Sequence, residues 1–250
     1  MSEEGEAPGR RQRPRDHVVS TLAKQILSGE IRPGEKLPPE ADLGSQLSVS
    51  RTALRESIRT LAGKGLIVSR TRTGTVGQPP SSWNHLDPEL LAWRETMEPD
   101  IAFVNALIEA RQVIEPAAAA LAAERATGQD LAAIETAFLD MQQAARAIEN
   151  IEEVVKADEA FHFALLAASH NPFFATFGAV IGSALRISFR VTTSASRNFP
   201  KSLAIHGEVL EAVRLRQPET ARALMTDLVG VACDDLASAF ADAGINAVRG

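Results

Sequence analysis

The sequence predicts a mostly α-helical chain: an N-terminal winged helix-turn-helix with a small β-wing, followed by an all-α antiparallel helical bundle. Three observations predict it. Two short helical segments meet around Ser48-Val49-Ser50, and the second carries arginines on one face. Short β-prone runs follow at Leu66-Ile67-Val68 and Thr75-Val76. Beyond residue 87 the apolar spacing is helical, punctuated by Asn171-Pro172, Phe199-Pro200 and Gln217-Pro218.

Taken in order, residues 1–15 form a polar, basic arm, expected to be disordered, whose Arg10, Arg11, Arg13 and Arg15 can add nonspecific phosphate contacts. Residues 16–77 are the winged unit. Its first turn-forming helix starts at Pro38-Pro39 and presents Ala41, Leu43 and Leu47; Ser50 caps the next. On that second helix Leu54, Ile58 and Leu61 face a core, while Arg51, Arg55 and Arg59 share another face, with Glu56 the acid among them. Clustered arginines on one helix face call for an anionic partner, and DNA is the expected one. Gly65 stops the helix, and Arg70 to Gly74 make a basic tip between two strands, placed to reach phosphates or a minor groove. The candidate DNA-contacting set is Ser50, Arg51, Thr52, Arg55 and Arg59 on the helix, with Arg70, Arg72 and Gly74 on the wing.

Residues 78–86, Pro- and Ser-rich, read as a linker, and 87–243 as an all-helical effector-binding and dimerisation domain. Helices are expected at 87–96, 100–126 with a kink at Pro116, 128–148 from a capping box at Thr127 to Asp130, 151–169, 172–192, 201–216 and 218–240. Facing helices of such a bundle can line an internal pocket.

Charge is divided between the halves. Residues 1–78 hold 13 Lys+Arg against 9 Asp+Glu, a net of +4, so the rest carries −10 of a total of −6. A basic head under an acidic total suits DNA binding. The single cysteine excludes an intrachain disulfide framework and suits a reducing cytoplasm; neither a long apolar run nor a secretory signal is expected.

In the bundle, Asp158 and His162 stand at i, i+4, and His206 is the third member of a candidate site. Nitrogen and carboxylate ligands suit zinc, manganese, nickel or iron; a plain hydrogen-bonded Asp-His pair is the alternative. His170 reads as a helix cap.

Residues 16–77 resemble the winged helix-turn-helix of the GntR family of bacterial transcription factors. The resemblance rests on Ile31-Arg32-Pro33-Gly34-Glu35-Lys36-Leu37-Pro38, Ser50-Arg51-Thr52, Leu54-Arg55-Glu56, Gly65-Leu66-Ile67 and Gly74-Thr75. It implies that Arg51 and Arg55 contact bases and phosphates of an operator. Two positions depart: Ala41 stands where many members have an arginine, and Ser48 where they have a glycine. Residues 100–240 resemble the FCD domain of the FadR subfamily, through Glu109-Ala110-Arg111, Val113 to Ala118, Asp158-Glu159-Ala160-Phe161-His162 and His206-Gly207-Glu208-Val209-Leu210. Such domains commonly bind a metal through an aspartate and three histidines beside a carboxylate effector. Asp158, His162 and His206 match three positions, but Leu228 takes the fourth, and Asp227 beside it is rotated by about 100°. Either a three-ligand metal site remains, zinc first with manganese or nickel as alternatives, or the polar trio binds the effector directly. For the carboxylate effector that the resemblance implies, Arg111 is the expected anchor by its planar fork, with an ion pair to a glutamate as the structural alternative; Arg186 and Arg190 are further candidates, and Thr192 or Asn105 could serve hydroxyls. The expected effector-binding set is Arg111, Asp158, His162, Arg190 and His206.

Within the subfamily the chain is similar to galactonate-responsive repressors. The similarity lies in Trp83-Asn84-His85-Leu86-Asp87, Leu90-Leu91-Ala92-Trp93, Glu115-Pro116-Ala117, Ala122 to Thr127 and His170-Asn171-Pro172. It implies a homodimer that leaves a palindromic double-stranded operator when a sugar acid, an aldonate, binds, with the segment Gly77–Ser82 as the moving part. The rival expectation is a metal-dependent enzyme of small carboxylates fused to a DNA-binding head. Against it, no nucleophile motif, phosphate loop or HExxH segment occurs.

Overall fold

A computed structural model describes residues 14–70, 74–146, 151–192 and 199–242 and divides the chain into two compact units that meet between Met97 and Glu98. The basic arm, but for Pro14 and Arg15, and the wing tip with Arg72 lie outside the described residues.

The first unit contains α1 (Pro14–Leu27), α2 (Glu40–Gln46), α3 (Arg51–Gly63), strands β1 (Ile67–Arg70) and β2 (Gly74–Gly77), and α4 (Pro88–Glu95). Val18, Leu22 and Ile26 give α1 one apolar face; they pack with Leu43 of α2 and with Leu54, Ile58 and Leu61 of α3. Ala41, expected in the α2 stripe, is exposed instead. Ser50 caps α3 as expected, its hydroxyl accepting from the Ala53 amide at 3.2 Å. The turn before it places Ser48 at φ 53, the left-handed region, where a non-glycine residue costs about 1 to 2 kcal/mol. Gly65 follows α3 at φ 76, and a Cβ there would lie 2.0 Å from the Ser82 carbonyl oxygen, so only glycine fits. The wing is an antiparallel ribbon in the register Ile67↔Gly77 to Arg70↔Gly74.

The segment expected to be a linker is part of this unit's core. Gln78 donates its amide to the Leu66 carbonyl at 2.8 Å, a short 3-10 turn spans Pro80–Ser82, and Trp83 is buried with its Nε1 donating to the Gln78 carbonyl at 3.0 Å. Pro and Ser read as tether by composition, but one tryptophan pins the segment, at a burial gain on the order of 3 kcal/mol. Asp87 then caps α4, accepting from the Glu89 and Leu90 amides. It also receives Lys64 Nζ at 2.8 Å, with Glu89 Oε2 at 2.6 Å from the same ammonium. Burial alone would lower the Lys64 pKa; the two carboxylates outweigh it and hold the ammonium above its ordinary value. Thus α4, expected to open the effector domain, packs by Leu90 with Trp83 in the first unit.

The second unit holds α5 (Ile101–Arg125), α6 (Gly128–Arg146), α7 (Ile151–Ala168), α8 (Pro172–Thr176), α9 (Gly178–Thr192), α10 (Phe199–Arg214) and α11 (Pro218–Asp242). Alanines 118–120, 122 and 123 of α5 are buried, and small side chains let helix axes approach closely. The core they join includes Ile134, Met141, Phe161, Leu165, Val209, Val213, Met225 and Val229. Helix α5 runs through Pro116 as one element. The capping box forms: Thr127 donates its amide to Asp130 Oδ2 at 2.7 Å, and Asp130 donates back to Thr127 Oγ1 at 3.2 Å. Asp130 also meets His170 Nε2 at 2.8 Å; His170 itself ends the α7 turn at φ 50. The helix expected over 172–192 divides at Phe177, and beyond the break Gly178 and Gly182 make room for the Phe163 ring; a Cβ on Gly182 would come within 3.0 Å of it. No helix among the described residues is long and apolar enough to cross a membrane.

Candidate DNA-contacting surface and effector site

Helix α3 exposes Arg51, Thr52, Arg55 and Arg59 on the side away from its buried Leu54, Ile58 and Leu61. The repulsion between its arginines is relieved within the unit: Arg55 Nε lies 3.1 Å from Glu40 Oε2, and Arg59 Nη1 lies 2.6 Å from Glu56 Oε1. Both pairs are exposed, and such pairs contribute at most about 1 kcal/mol, so opening them for phosphate or base edges costs little. Ser50 is exposed, but its hydroxyl caps the helix. On the wing, Arg70 is exposed at the end of β1, and Gly74, at φ 83, starts β2.

In the second unit a buried polar cluster sits among α5, α7, α10 and α11. Asp158, His162 and His206 are each at least nine-tenths buried, and their ligand atoms lie within 4.8 Å of one another. His206 Nδ1 is 2.7 Å from the Ser202 carbonyl, a contact that requires the proton on Nδ1. Its Nε2 faces Asp158 Oδ1 at 3.1 Å. His162 Nε2 faces the same oxygen at 3.9 Å, while its Nδ1 lies 2.6 Å from Glu115 Oε2. That Nδ1 contact is short without being aligned as a hydrogen bond, and His206 Nε2 likewise has no aligned donor or acceptor. Donors bound about 2 Å from a metal stand about 3 to 4 Å apart, and both imidazole Nε2 atoms lie in that range from Asp158 Oδ1, so the trio could hold a divalent ion; the 3.1 Å contact also matches a hydrogen-bonded Asp-His pair. Burial alone would raise the Asp158 pKa, but His206, His162 and Arg111 beside it hold the carboxyl below its ordinary value.

Arg111 is 2 % exposed and meets Glu115, one turn on along α5, through Nε at 2.5 Å and Nη2 at 3.5 Å. The glutamate pairing weighed as the structural alternative is thus present. It does not use up the guanidinium, because Nη1 is buried without a hydrogen-bond partner among the described residues. Burial alone would raise the Glu115 pKa; Arg111 and His162 bring it down to about 2. Arg111, Asp158, His162 and His206 line one cavity of about 70 Å³, together with Ser188, Thr192, Leu228 and Asp235. Leu228, in the fourth ligand position, lines this cavity, whereas Asp227 is exposed.

Other expected effector contacts lie elsewhere. Arg190 is exposed and is not part of the lining; Arg186 is engaged with Glu159; Asn105 is half-buried away from the cavity. Sequence reasoning missed Glu115 and Ser188. The i, i+4 spacing of Arg111 and Glu115 signalled their pair, but the reach of Glu115 to His162 on another helix had no local signal. Ser188 Oγ is buried without a partner among the described residues and would have been found only as a polar residue on the inner face of α9.

A model of bacterial regulatory proteins of the gntR family matches residues 14–76, and a model of the FCD domain matches residues 106–230. The chain belongs to the GntR family. It is 36 % identical over 207 residues to the galactonate operon transcriptional repressor of Escherichia coli K12, covering 82 % of this chain and 89 % of that one. An uncharacterised HTH-type regulator, YieP, from the same organism is 37 % identical over 198 residues, covering 78 % of this chain and 84 % of the relative. A solved structure of Lar, described as controlling the Listeria monocytogenes agr system, shares the fold at a TM-score of 0.66 and 19 % identity, covering 92 % of this chain and 99 % of that one. This GntR-family chain is a DNA-binding transcriptional regulator with an FCD domain, and these relatives give the rival reading as an enzyme no support.

Proposed function

We propose that the chain is a repressor that binds a palindromic operator as a homodimer and leaves it when a sugar acid of the aldonate type occupies the FCD cavity. The observation that carries this reading is the buried Arg111, whose unpaired Nη1 shares a cavity with Asp158, His162 and His206. A carboxylate supplies the acceptor that Nη1 lacks, and a guanidinium–carboxylate contact in a dry cavity is strong and directional. The unpartnered Ser188 hydroxyl and Thr192 add places for effector hydroxyls. The similar repressor of a galactonate operon supports an aldonate as the class.

Asp158, His162 and His206 would hold a divalent metal, zinc first, with manganese or nickel as alternatives. Bound there, such a metal would supply a Lewis-acid centre for an effector oxygen or water. Ser202 and Glu115 orient the two imidazoles. In the first unit, α3 enters a major groove with Arg51 and Arg55 foremost, Ser50, Thr52, Arg59, Arg70 and Gly74 flank it, and Arg72 belongs to the same wing; two copies match the two half-sites.

Elemental analysis of purified protein, joined to thermal melting, tests this. Divalent metal should be present and should be lost in His206→Ala, and chelation should lower Tm because the metal binds the folded state. Aldonates should raise Tm, and neutral sugars of the same stereochemistry should not. Metal-free protein that still responds to aldonates would remove the metal and leave the polar trio as the binder; no response to any aldonate would overturn the effector class.

A further inference from the structure

Within the proposed metal-and-carboxylate site, on whose reading this rests, we infer that Glu115 is the shared positioning residue: Oε1 takes the short contact from Arg111, and Oε2, which Arg111 Nη2 approaches only at 3.5 Å, fixes the His162 tautomer. Arg111 Nε lies 2.5 Å from Oε1, and His162 Nδ1 lies 2.6 Å from Oε2. Two lone-pair atoms do not rest 2.6 Å apart, so a proton is assigned to His162 Nδ1, with a small turn of the ring bringing the contact into line. With that proton on Nδ1, the Nε2 lone pair is left facing Asp158, where a metal ligand is needed. The Arg111 fork, held by the first oxygen, keeps Nη1 unpaired for a carboxylate. Both arrangements therefore depend on a group with two acceptors set back to back, about 98 % buried.

Only a carboxylate meets that requirement. An amide at position 115 offers one acceptor and one NH₂. Arg111 is always protonated, so the amide oxygen turns to it and the NH₂ faces His162. The imidazole must then accept at Nδ1 and carry its proton on Nε2, in the place of the metal bond. The substitution Glu115→Gln keeps an acceptor for Arg111 while reversing the partner offered to His162, and Glu115→Ala removes both supports.

The test reads tautomers and metal affinity. In metal-free wild-type protein, ¹⁵N NMR should show His162 and His206 both protonated on Nδ1, a measurement that needs no variant. In Glu115→Gln, His162 should switch to Nε2–H while His206, held by the Ser202 carbonyl, stays unchanged. Zinc affinity should fall roughly 10- to 100-fold. A His162 already Nε2-protonated in the wild type overturns the inference, as does a folded Glu115→Gln protein that binds zinc as tightly as wild type. Wild-type protein that takes up no metal overturns the metal reading and this inference together, an outcome distinct from either.

Discussion

The two units use arginine in opposite ways. On α3, the Arg55 and Arg59 side chains are 68 % and 77 % exposed, each lightly paired to a neighbouring glutamate. On α5, Arg111 is 2 % exposed and clasped by a glutamate that is itself buried. An exposed pair, screened and solvated, is an easily opened reserve for a large anion such as DNA. A buried pair is a fixture: neither partner can be withdrawn without leaving a charge in a dry core. Burial, rather than residue type, therefore separates the surface proposed to read a polymer from the cavity proposed to read one small molecule.

The largest expected break in this contrast is Arg111→Ala. It strands Glu115 in the core, and breaking a buried pair costs about 3 to 5 kcal/mol, which a denaturant melt of the full chain should show. Arg111→Lys keeps a charge while losing the two-sided fork, so aldonate response should be abolished with a smaller stability loss. An Arg111→Ala protein as stable as wild type would mean that the pair is not the fixture described.

Arg55→Ala should do the reverse. Operator affinity should fall by about 1 to 3 kcal/mol, as for a lost base or positioning contact, with stability changed by less than about 0.5 kcal/mol. A mobility-shift titration at fixed salt, beside a melt, reads both. Unchanged operator binding in Arg51→Ala and Arg55→Ala alike would remove α3 from its role.

The same contrast explains what was legible in the sequence. Local signals sufficed for α3: a serine cap, apolar residues every three to four positions and a glycine stop all act within one helix. Asp158 and His162 were legible for the same reason, being one turn apart. What escaped depends on contacts distant in sequence. Gln78 to Leu86 reads as tether until Trp83 finds the core built by α1 and α3. The break at Phe177 lies in an apolar run without a strong stop. Glu115 looks like a simple partner of Arg111 until α7 brings His162 to its other oxygen.

The central claim is that the buried cavity and the exposed recognition helix are thermodynamically linked, so that aldonate and operator oppose each other. Linkage is reciprocal: the factor by which aldonate weakens operator affinity must equal the factor by which operator weakens aldonate affinity, typically about 5- to 150-fold. Calorimetric titration of a galactonate into the metal-loaded protein, alone and saturated with operator duplex, measures it directly. The account predicts weaker aldonate binding in the presence of operator, by the same factor seen in the mobility-shift titration. Equal aldonate affinity with and without operator, however tight, would contradict it.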